Sequence, residues 1–133
     1  MATIFTRIIS GELPGVFVWS DETCVAFLSI APLSPGHVLV VPREEIEHWI
    51  DLDPEITQHL ITVAQEIGLA LDAVYEPEKV GLMIAGLEVP HVHIHVLPIN
   101  GVSDMDFANA KETTPDELEY EAERIREELN SSL

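Results

Sequence analysis

The sequence has little of what several large classes of protein require. Its 133 residues include one cysteine, Cys24, so the chain cannot close an internal disulfide, and we expect this thiol to be buried as a small hydrophobic group. Only six Lys and Arg residues stand against 24 Asp and Glu residues, which gives a formal net charge of -18. Because nucleic acids are bound through an excess of positive charge, we expect no polymeric nucleic acid as a partner.

Long apolar runs and a secretion signal are also missing. No stretch approaches the roughly 20 apolar residues that a membrane-spanning helix needs. Residues 1–7 lack the charged and then apolar build of a signal peptide. The sequence therefore predicts a cytoplasmic protein that does not bind membranes. With 47% hydrophobic residues it can build an ordinary core, as one domain over residues 1–133.

What the sequence does contain is a regular row of histidines between Pro90 and Pro98. His91, His93 and His95 alternate with branched apolar residues, a period of two that is typical of a β-strand. The three imidazoles are therefore predicted to share one face of the strand, and the intervening Val and Ile side chains to pack into a core from the other face.

A row of imidazoles indicates chemistry, because imidazole gains and loses its proton near neutral pH. Three histidines on one straight strand extend over about 13 Å, too far to converge on one metal ion without a further ligand. A metal site formed by His93, His95 and an acid such as Glu88 stays open as one interpretation. Covalent catalysis, in which one imidazole attacks while its neighbours handle protons, is the other.

The rest of the chain predicts an α+β fold. Asp53 and Pro54 are typical of a helix start, and the apolar spacing continues to Val74. The short link at 86–90 favours an antiparallel strand pair. The remaining predicted elements are a helical turn at 4–9, strands at 16–19, 24–30, 37–41 and 80–85, and an acidic helix at about 114–130. Together they predict an antiparallel sheet of about five strands, covered by one long helix, with short terminal helices.

The acidic C-terminal helix carries one apolar stripe. Its members are Leu118, Ala122, Ile125 and Leu129. We expect this stripe to dock on the helix's own domain; packing across a dimer is the alternative.

Three segments resemble one known family. Residues 91–97 match in full the His-φ-His-φ-His-φ-φ motif of the histidine triad (HIT) family, in which φ is an apolar residue. Residues 4–14, and residues 26–42 around a Pro-Gly turn, are similar to the opening and central segments of that family, in the same order. The resemblance implies a HIT-like fold, a homodimer whose sheets join, a small nucleotide as ligand, and no cofactor.

The resemblance also implies a role for each of four histidines. His93 would be the nucleophile that attacks the α-phosphorus of a nucleotide whose leaving group is an amine, a sulfate or a further phosphate. Water would then release the nucleoside monophosphate from the nucleotidyl-histidine. His95 would contact the phosphate and leaving group, His91 would orient the array, and His37 is similar to the family's fourth active-site histidine.

Substrate contacts follow from the same resemblance. The backbone near Glu88 and Val89 is placed to give an N–H donor to the phosphate. Ser29 stands where many relatives carry an acid that binds the ribose. The predicted base pocket consists of Phe5, Ile8, Phe27 and Ile30.

The chain departs from the family pattern at several positions. Leu87 and Glu88 replace a Gln and a hydroxyl residue, and a carboxylate near a phosphate is unfavourable unless it is protonated, turned away or paired. Because of these changes and Ser29, a second interpretation stays open, in which the protein is a nucleotide- or partner-binding module with little turnover.

A subset of the family holds a structural zinc through two cysteines and two histidines. Thr3 and Thr6 occupy the cysteine positions here, so we predict no metal, although His48 and His91 remain. His48 and His59 are predicted to be surface residues without a role.

Overall fold

The computed structural model describes residues 2–131 as three α-helices and one antiparallel sheet. The helices are α1 (Ile4–Ile9), α2 (Pro54–Tyr75) and α3 (Pro115–Ser131). The strands are β1 (Phe17–Ser20), β2 (Cys24–Leu28), β3 (Val38–Pro42), β4 (Lys79–Ile84) and β5 (Ile94–Ile99). Short 3₁₀ turns lie at Trp49–Asp51, Val102–Met105 and Phe107–Asn109. The five strands lie in the order β1-β2-β3-β5-β4, which confirms the predicted α+β fold.

The long helix α2 begins and ends where local chemistry dictates. The Asp53 side chain accepts the Glu55 N–H at 3.0 Å, and Pro54 occupies the first turn, where its missing N–H costs nothing. Glu76 ends the helix in the left-handed conformation, at φ 49°. The buried face of α2 packs on the sheet and consists of Leu60, Val63, Ala64, Ile67, Ala70 and Leu71.

The sheet buries a different cluster on each face. The larger one, under α2 and α3, includes Val92, Ile94 and Val96, the apolar residues between the histidines. The smaller one, under α1, includes Phe5 and Phe27. The predicted alternation along the histidine segment is therefore correct for its apolar side.

Cys24 lies in the larger cluster with no exposed surface, as expected for a small hydrophobic residue. Burial raises the pKa of its thiol to about 12, with a further contribution from the negative charge of Asp21. The thiol therefore stays protonated and unreactive in the folded protein.

The predicted strand over the histidines starts later than expected. Strand β5 begins at Ile94, so His91 and His93 lie in the extended segment that precedes it. Pairing with β3 reaches only from Val38 to Val40, and beyond it the Val92 N–H bonds to the carbonyl of Ile46 at 2.8 Å. The segment that carries these two histidines is therefore held by the loop after β3, and not by pairing between strands.

Helix α3 docks on its own domain, as predicted. Its first turn is capped by the Thr114 hydroxyl, which accepts the Glu117 N–H at 3.2 Å. Leu118, Ala122 and Ile125 are buried in the larger core cluster.

The two edges of the sheet differ. Helix α3 covers the edge at β1, where the Arg126 side chain donates to the Phe17 carbonyl at 2.9 Å. Strand β4 forms the opposite edge and pairs with β5 on one side only. Within residues 2–131, no helix combines the length and the apolar character needed to cross a bilayer.

Candidate active site

The fold brings together all four of the histidines singled out in the sequence. The exposed fraction is 3% for His37, 0% for His91, 1% for His93 and 4% for His95. The ring centroids of His93 and His95 lie 4.9 Å apart, and those of His37 and His95 lie 5.1 Å apart. Residue 37 reaches the cluster because β3 and β5 are neighbours, with Leu39 opposite His95.

The hydrogen bonds of His37 and His95 fix the positions of their protons. The backbone N–H of Leu33 donates to His37 Nδ1 at 3.1 Å, so the proton of neutral His37 is on Nε2. His37 Nε2 then donates to His95 Nδ1 at 2.9 Å. It follows that His95 carries its own proton on Nε2. This atom is buried, without a hydrogen-bond partner among residues 2–131.

The two hydrogen-bonded rings, the His37–His95 relay, are both neutral at physiological pH. Burial, reinforced by the neighbouring imidazoles, lowers the pKa of His37 to about 3. Burial and the nearby His93 lower the pKa of His95 to about 4, despite the opposing influence of Glu88. The relay therefore presents one N–H donor, His95 Nε2, to whatever binds beside it.

His93 is held so that its Nε2 faces the same space. Its Nδ1 donates to the backbone carbonyl of His91 at 2.7 Å, which leaves Nε2 as the nitrogen with the free lone pair when the ring is neutral. That arrangement suits a nucleophile or a metal ligand.

His91 holds neighbouring segments of the chain in place through hydrogen bonds of both ring nitrogens. Its Nε2 donates to the Pro42 carbonyl at the end of β3, at 2.8 Å, and its Nδ1 accepts from the Thr3 hydroxyl, also at 2.8 Å. Burial lowers its pKa, more strongly than the Pro42 carbonyl and Glu45 raise it. The ring ties α1 and β3 to the backbone oxygen that orients His93.

Glu88 contacts two of these rings with a single oxygen. Its Oε1 lies 2.9 Å from His93 Nε2 and 3.4 Å from His95 Nε2. Only the contact with His93 has hydrogen-bond geometry. Burial acts to raise the pKa of Glu88, but the hydrogen bonds from His93 and its own backbone N–H, with the nearby imidazoles, hold it below the ordinary value. The sequence left open whether this carboxylate is protonated, turned away or paired, and the structure shows it paired with His93.

Aromatic rings form one wall of the site. The Phe5 ring stands edge-on to His93 at 4.9 Å and to Phe27 at 5.5 Å, measured between centroids. Ile8 and Val89 pack against this cluster. The side chains of these four residues of the predicted substrate site therefore lie together beside the histidines.

Ser29 and Ile30 lie outside that aromatic wall. The Ser29 hydroxyl accepts the Ala31 N–H at 3.3 Å, and its backbone N–H bonds to the His37 carbonyl at 3.0 Å. Ile30 is 67% exposed. Ser29 is tied to the site through the backbone of His37, with its side chain used in a local turn.

Sequence reasoning missed Phe107. Its ring stands edge-on to His95, with 5.2 Å between centroids, in a short turn that follows β5. It is 41% exposed, so it forms a rim over His95 rather than core. The signal that was available is its isolation: it is the one aromatic residue between positions 101 and 113.

Among residues 2–131, two groups of side chains have the composition of a metal site, each with its candidate ligand atoms within 4.8 Å of one another. In the group of Glu88, His93 and His95, the relay from His37 puts a proton on His95 Nε2, which therefore offers no lone pair. The other group is Asp21, Cys24 and His59.

Asp21 Oδ2 already accepts from Trp19 at 2.8 Å and from His59 at 2.7 Å. The Cys24 thiol beside it stays protonated. His59, predicted to have no role, thus joins α2 to the turn between β1 and β2. Neither group presents a complete set of free metal ligands.

Comparisons with known proteins agree with this geometry. A family model described as the HIT domain matches residues 10–101. An uncharacterised HIT-like protein of Saccharolobus solfataricus is 30% identical over 136 residues, covering 96% of this chain and 98% of that protein. The adenosine 5′-monophosphoramidase of Schizosaccharomyces pombe is 32% identical over 103 residues, 74% of each chain.

Solved structures share the fold as well. The crystal structure of a hypothetical histidine triad nucleotide-binding protein from Sulfolobus tokodaii superposes with a TM-score of 0.84 at 27% identity, covering 96% of this chain and 91% of that one.

Proposed function

This chain belongs to the histidine triad (HIT) family, and on that basis we propose that it is a nucleotidyl hydrolase or transferase that forms a covalent nucleotidyl-histidine. The substrate is a nucleotide with a phosphoramidate, adenylyl sulfate or dinucleoside polyphosphate linkage, attacked at its α-phosphorus. The observation that carries the proposal is the pair of tautomers that the hydrogen bonds impose on the neutral rings: the lone pair of His93 is on Nε2, beside a proton on His95 Nε2.

The first step uses these two nitrogens together. The lone pair of His93 Nε2 forms a bond to the α-phosphorus while the bond to the leaving group breaks. His95 Nε2–H, held in place by the bond from His37, donates a hydrogen bond to the departing atom and stabilises the negative charge that develops there, and the departing group takes its proton from water. In the second step, water attacks the phosphorus, the N–P bond breaks and the nucleoside monophosphate leaves. His91 is a positioning residue in both steps.

The aromatic wall beside the histidines and the adjacent backbone bind the nucleotide. The backbone near Glu88 and Val89 supplies an N–H donor to the phosphate, in line with the role of oriented donors in phosphoryl transfer. Phe5 and Phe27, with Ile8, form the apolar side against which the base stacks. Exposed Ile30 would contact the base from outside this wall, and Ser29 would reach the ribose by giving up its bond to Ala31.

A second candidate function is a nucleotide- or partner-binding module with little turnover. The observation that favours it is Glu88, whose carboxylate lies against the proposed nucleophile. A metal-binding protein is disfavoured by the proton on His95 Nε2.

The proposed function is tested by brief mixing of the protein with nucleoside phosphoramidates, adenylyl sulfate and dinucleoside polyphosphates, followed by intact mass spectrometry. We expect a mass increase of one nucleotidyl group from at least one compound, together with released monophosphate. Quenching must avoid acid, because the N–P bond of a histidine adduct is acid-labile. Binding without adduct or monophosphate from every compound would instead favour the binding module.

We also propose that the protein is a homodimer joined through β4. This strand is the open edge of the sheet, and exposed apolar side chains lie beside it: Leu82 on β4, with Ile61 and Leu69 on α2. A second copy that pairs its own β4 would continue the sheet and cover these side chains.

Leu82→Lys should therefore shift the molar mass in light scattering from that of a dimer to that of a monomer, because a charge would be buried at the centre of the contact. Leu87→Lys is the matched control, since it changes an exposed leucine beyond the end of β4. Equal masses for wild type and Leu82→Lys would contradict the assignment of this face.

A further inference from the structure

Glu88 stands where the substrate must bind. The reaction proposed above needs His93 Nε2 to approach phosphorus and His95 Nε2 to reach the leaving group. A single carboxylate oxygen lies 2.9 Å from the first nitrogen and 3.4 Å from the second. A phosphate group cannot enter the same space while that oxygen is there.

The contact also fixes the state of the nucleophile. Because His93 Nδ1–H is committed to the His91 carbonyl, a hydrogen bond between Nε2 and Glu88 needs one further proton. The pKa of Glu88 lies below its ordinary value, so the carboxylate accepts this hydrogen bond and His93 Nε2 donates it. In this state the nucleophilic lone pair is occupied.

The Glu88 side chain is 44% exposed at the mouth of the site. Within residues 2–131, no Lys or Arg forms an ion pair with it; its charged contacts are the two imidazoles. Solvation can therefore replace most of what the carboxylate loses when it leaves.

We propose that Glu88 is a displaceable cap: in the free protein it occupies the phosphate position on His93 and His95, and the substrate phosphate must expel it. The inference rests on the proposed function of His93. As the carboxylate leaves, still ionised, the proton in the hydrogen bond at His93 Nε2 passes to water, and the lone pair becomes available for attack. Glu88 thus sets how tightly phosphate-bearing ligands bind.

The direct test is the binding of AMP, a nucleoside monophosphate, measured by calorimetry at constant salt. Glu88→Ala and Glu88→Gln should both bind AMP about tenfold or more tightly than wild type, the effect expected from removing one competing charge-assisted hydrogen bond. Glu47→Gln is the control, because it removes the same charge from an exposed position that touches none of the four histidines.

An equal AMP affinity in wild type and both Glu88 variants would overturn the cap. So would the absence of measurable AMP binding to either variant, or a similar gain in Glu47→Gln, which would make the effect one of net charge.

Kinetics separate the cap from a catalytic role of Glu88. With a compound that the wild type turns over, the Glu88 variants should have a KM at least about fivefold lower. A tenfold fall in kcat with an unchanged KM would show instead that Glu88 assists the reaction, and would overturn the cap. If AMP affinity rises as expected but no compound is turned over, the proposed function fails and the cap stands.

Discussion

His93→Ala is expected to lower turnover of the responding nucleotide by about a thousandfold or more and to abolish the nucleotidyl adduct. The reason is geometric: within residues 2–131, His93 is the one histidine whose hydrogen bonds leave Nε2 unprotonated in its neutral form and facing the site. Neither His37 nor His95 can replace it, because each uses Nδ1 as an acceptor and carries its proton on Nε2.

His48→Ala is the matched control for this variant. His48 is exposed and precedes a short 3₁₀ turn without a side-chain capping bond, so its removal should leave turnover unchanged. Since His93 is buried, unfolding must be followed in parallel, and His93→Gln provides a second variant that fills more of the space. Residual turnover within tenfold of wild type in a folded His93 variant would rule out this nitrogen as the nucleophile.

Gly36→Ala is expected to destabilise the protein by about 2–4 kcal/mol. Gly36 has φ +88°, where a side chain is strained, and an added Cβ would lie 2.5 Å from Cε2 of Tyr75. The Tyr75 ring cannot easily retreat, since its hydroxyl donates to Glu121 at 2.8 Å and the Arg124 guanidinium lies over its face at 5.5 Å.

Gly11→Ala separates the two causes. Gly11 has φ +87°, and an added Cβ would meet no atom within 4 Å, so its cost of about 1 kcal/mol is that of the backbone alone. Urea unfolding of both variants and wild type gives the comparison. If the two variants lose the same stability, the Tyr75 ring yields and the clash contributes nothing.

Much of the fold was accessible to local reasoning. Asp53 and Pro54 define the start of α2 through capping chemistry, which acts within a few residues. The alternation of apolar residues around the histidines placed Val92 and Ile94 in the core because strand-like backbone turns successive side chains to opposite faces. The exact start of β5 escaped because it depends on where pairing with both neighbours ends, at Val40 on β3 and Ile84 on β4, and these contacts are distant in sequence or set by the loop.

The four clustered histidines could be singled out from the sequence, but the positions of their protons could not. The resemblance implied a site role for His37, yet the bond from His37 to His95 joins residues 58 positions apart and follows from the register of two strands. The pairing of Glu88 required the conformation of its loop, and Phe107 required the path of the chain after β5. The join between Asp21 and His59 likewise depends on where α2 crosses the sheet.

The unequal edges of the sheet limit how the protein can associate. At β1, the Arg126 side chain donates to the Phe17 carbonyl, so an incoming strand would have to displace this side chain. In the dimer proposed above, the two β4 edges meet, and neither copy keeps that edge open for a third chain. If two chains associate in this way, strand addition through β4 stops at the dimer.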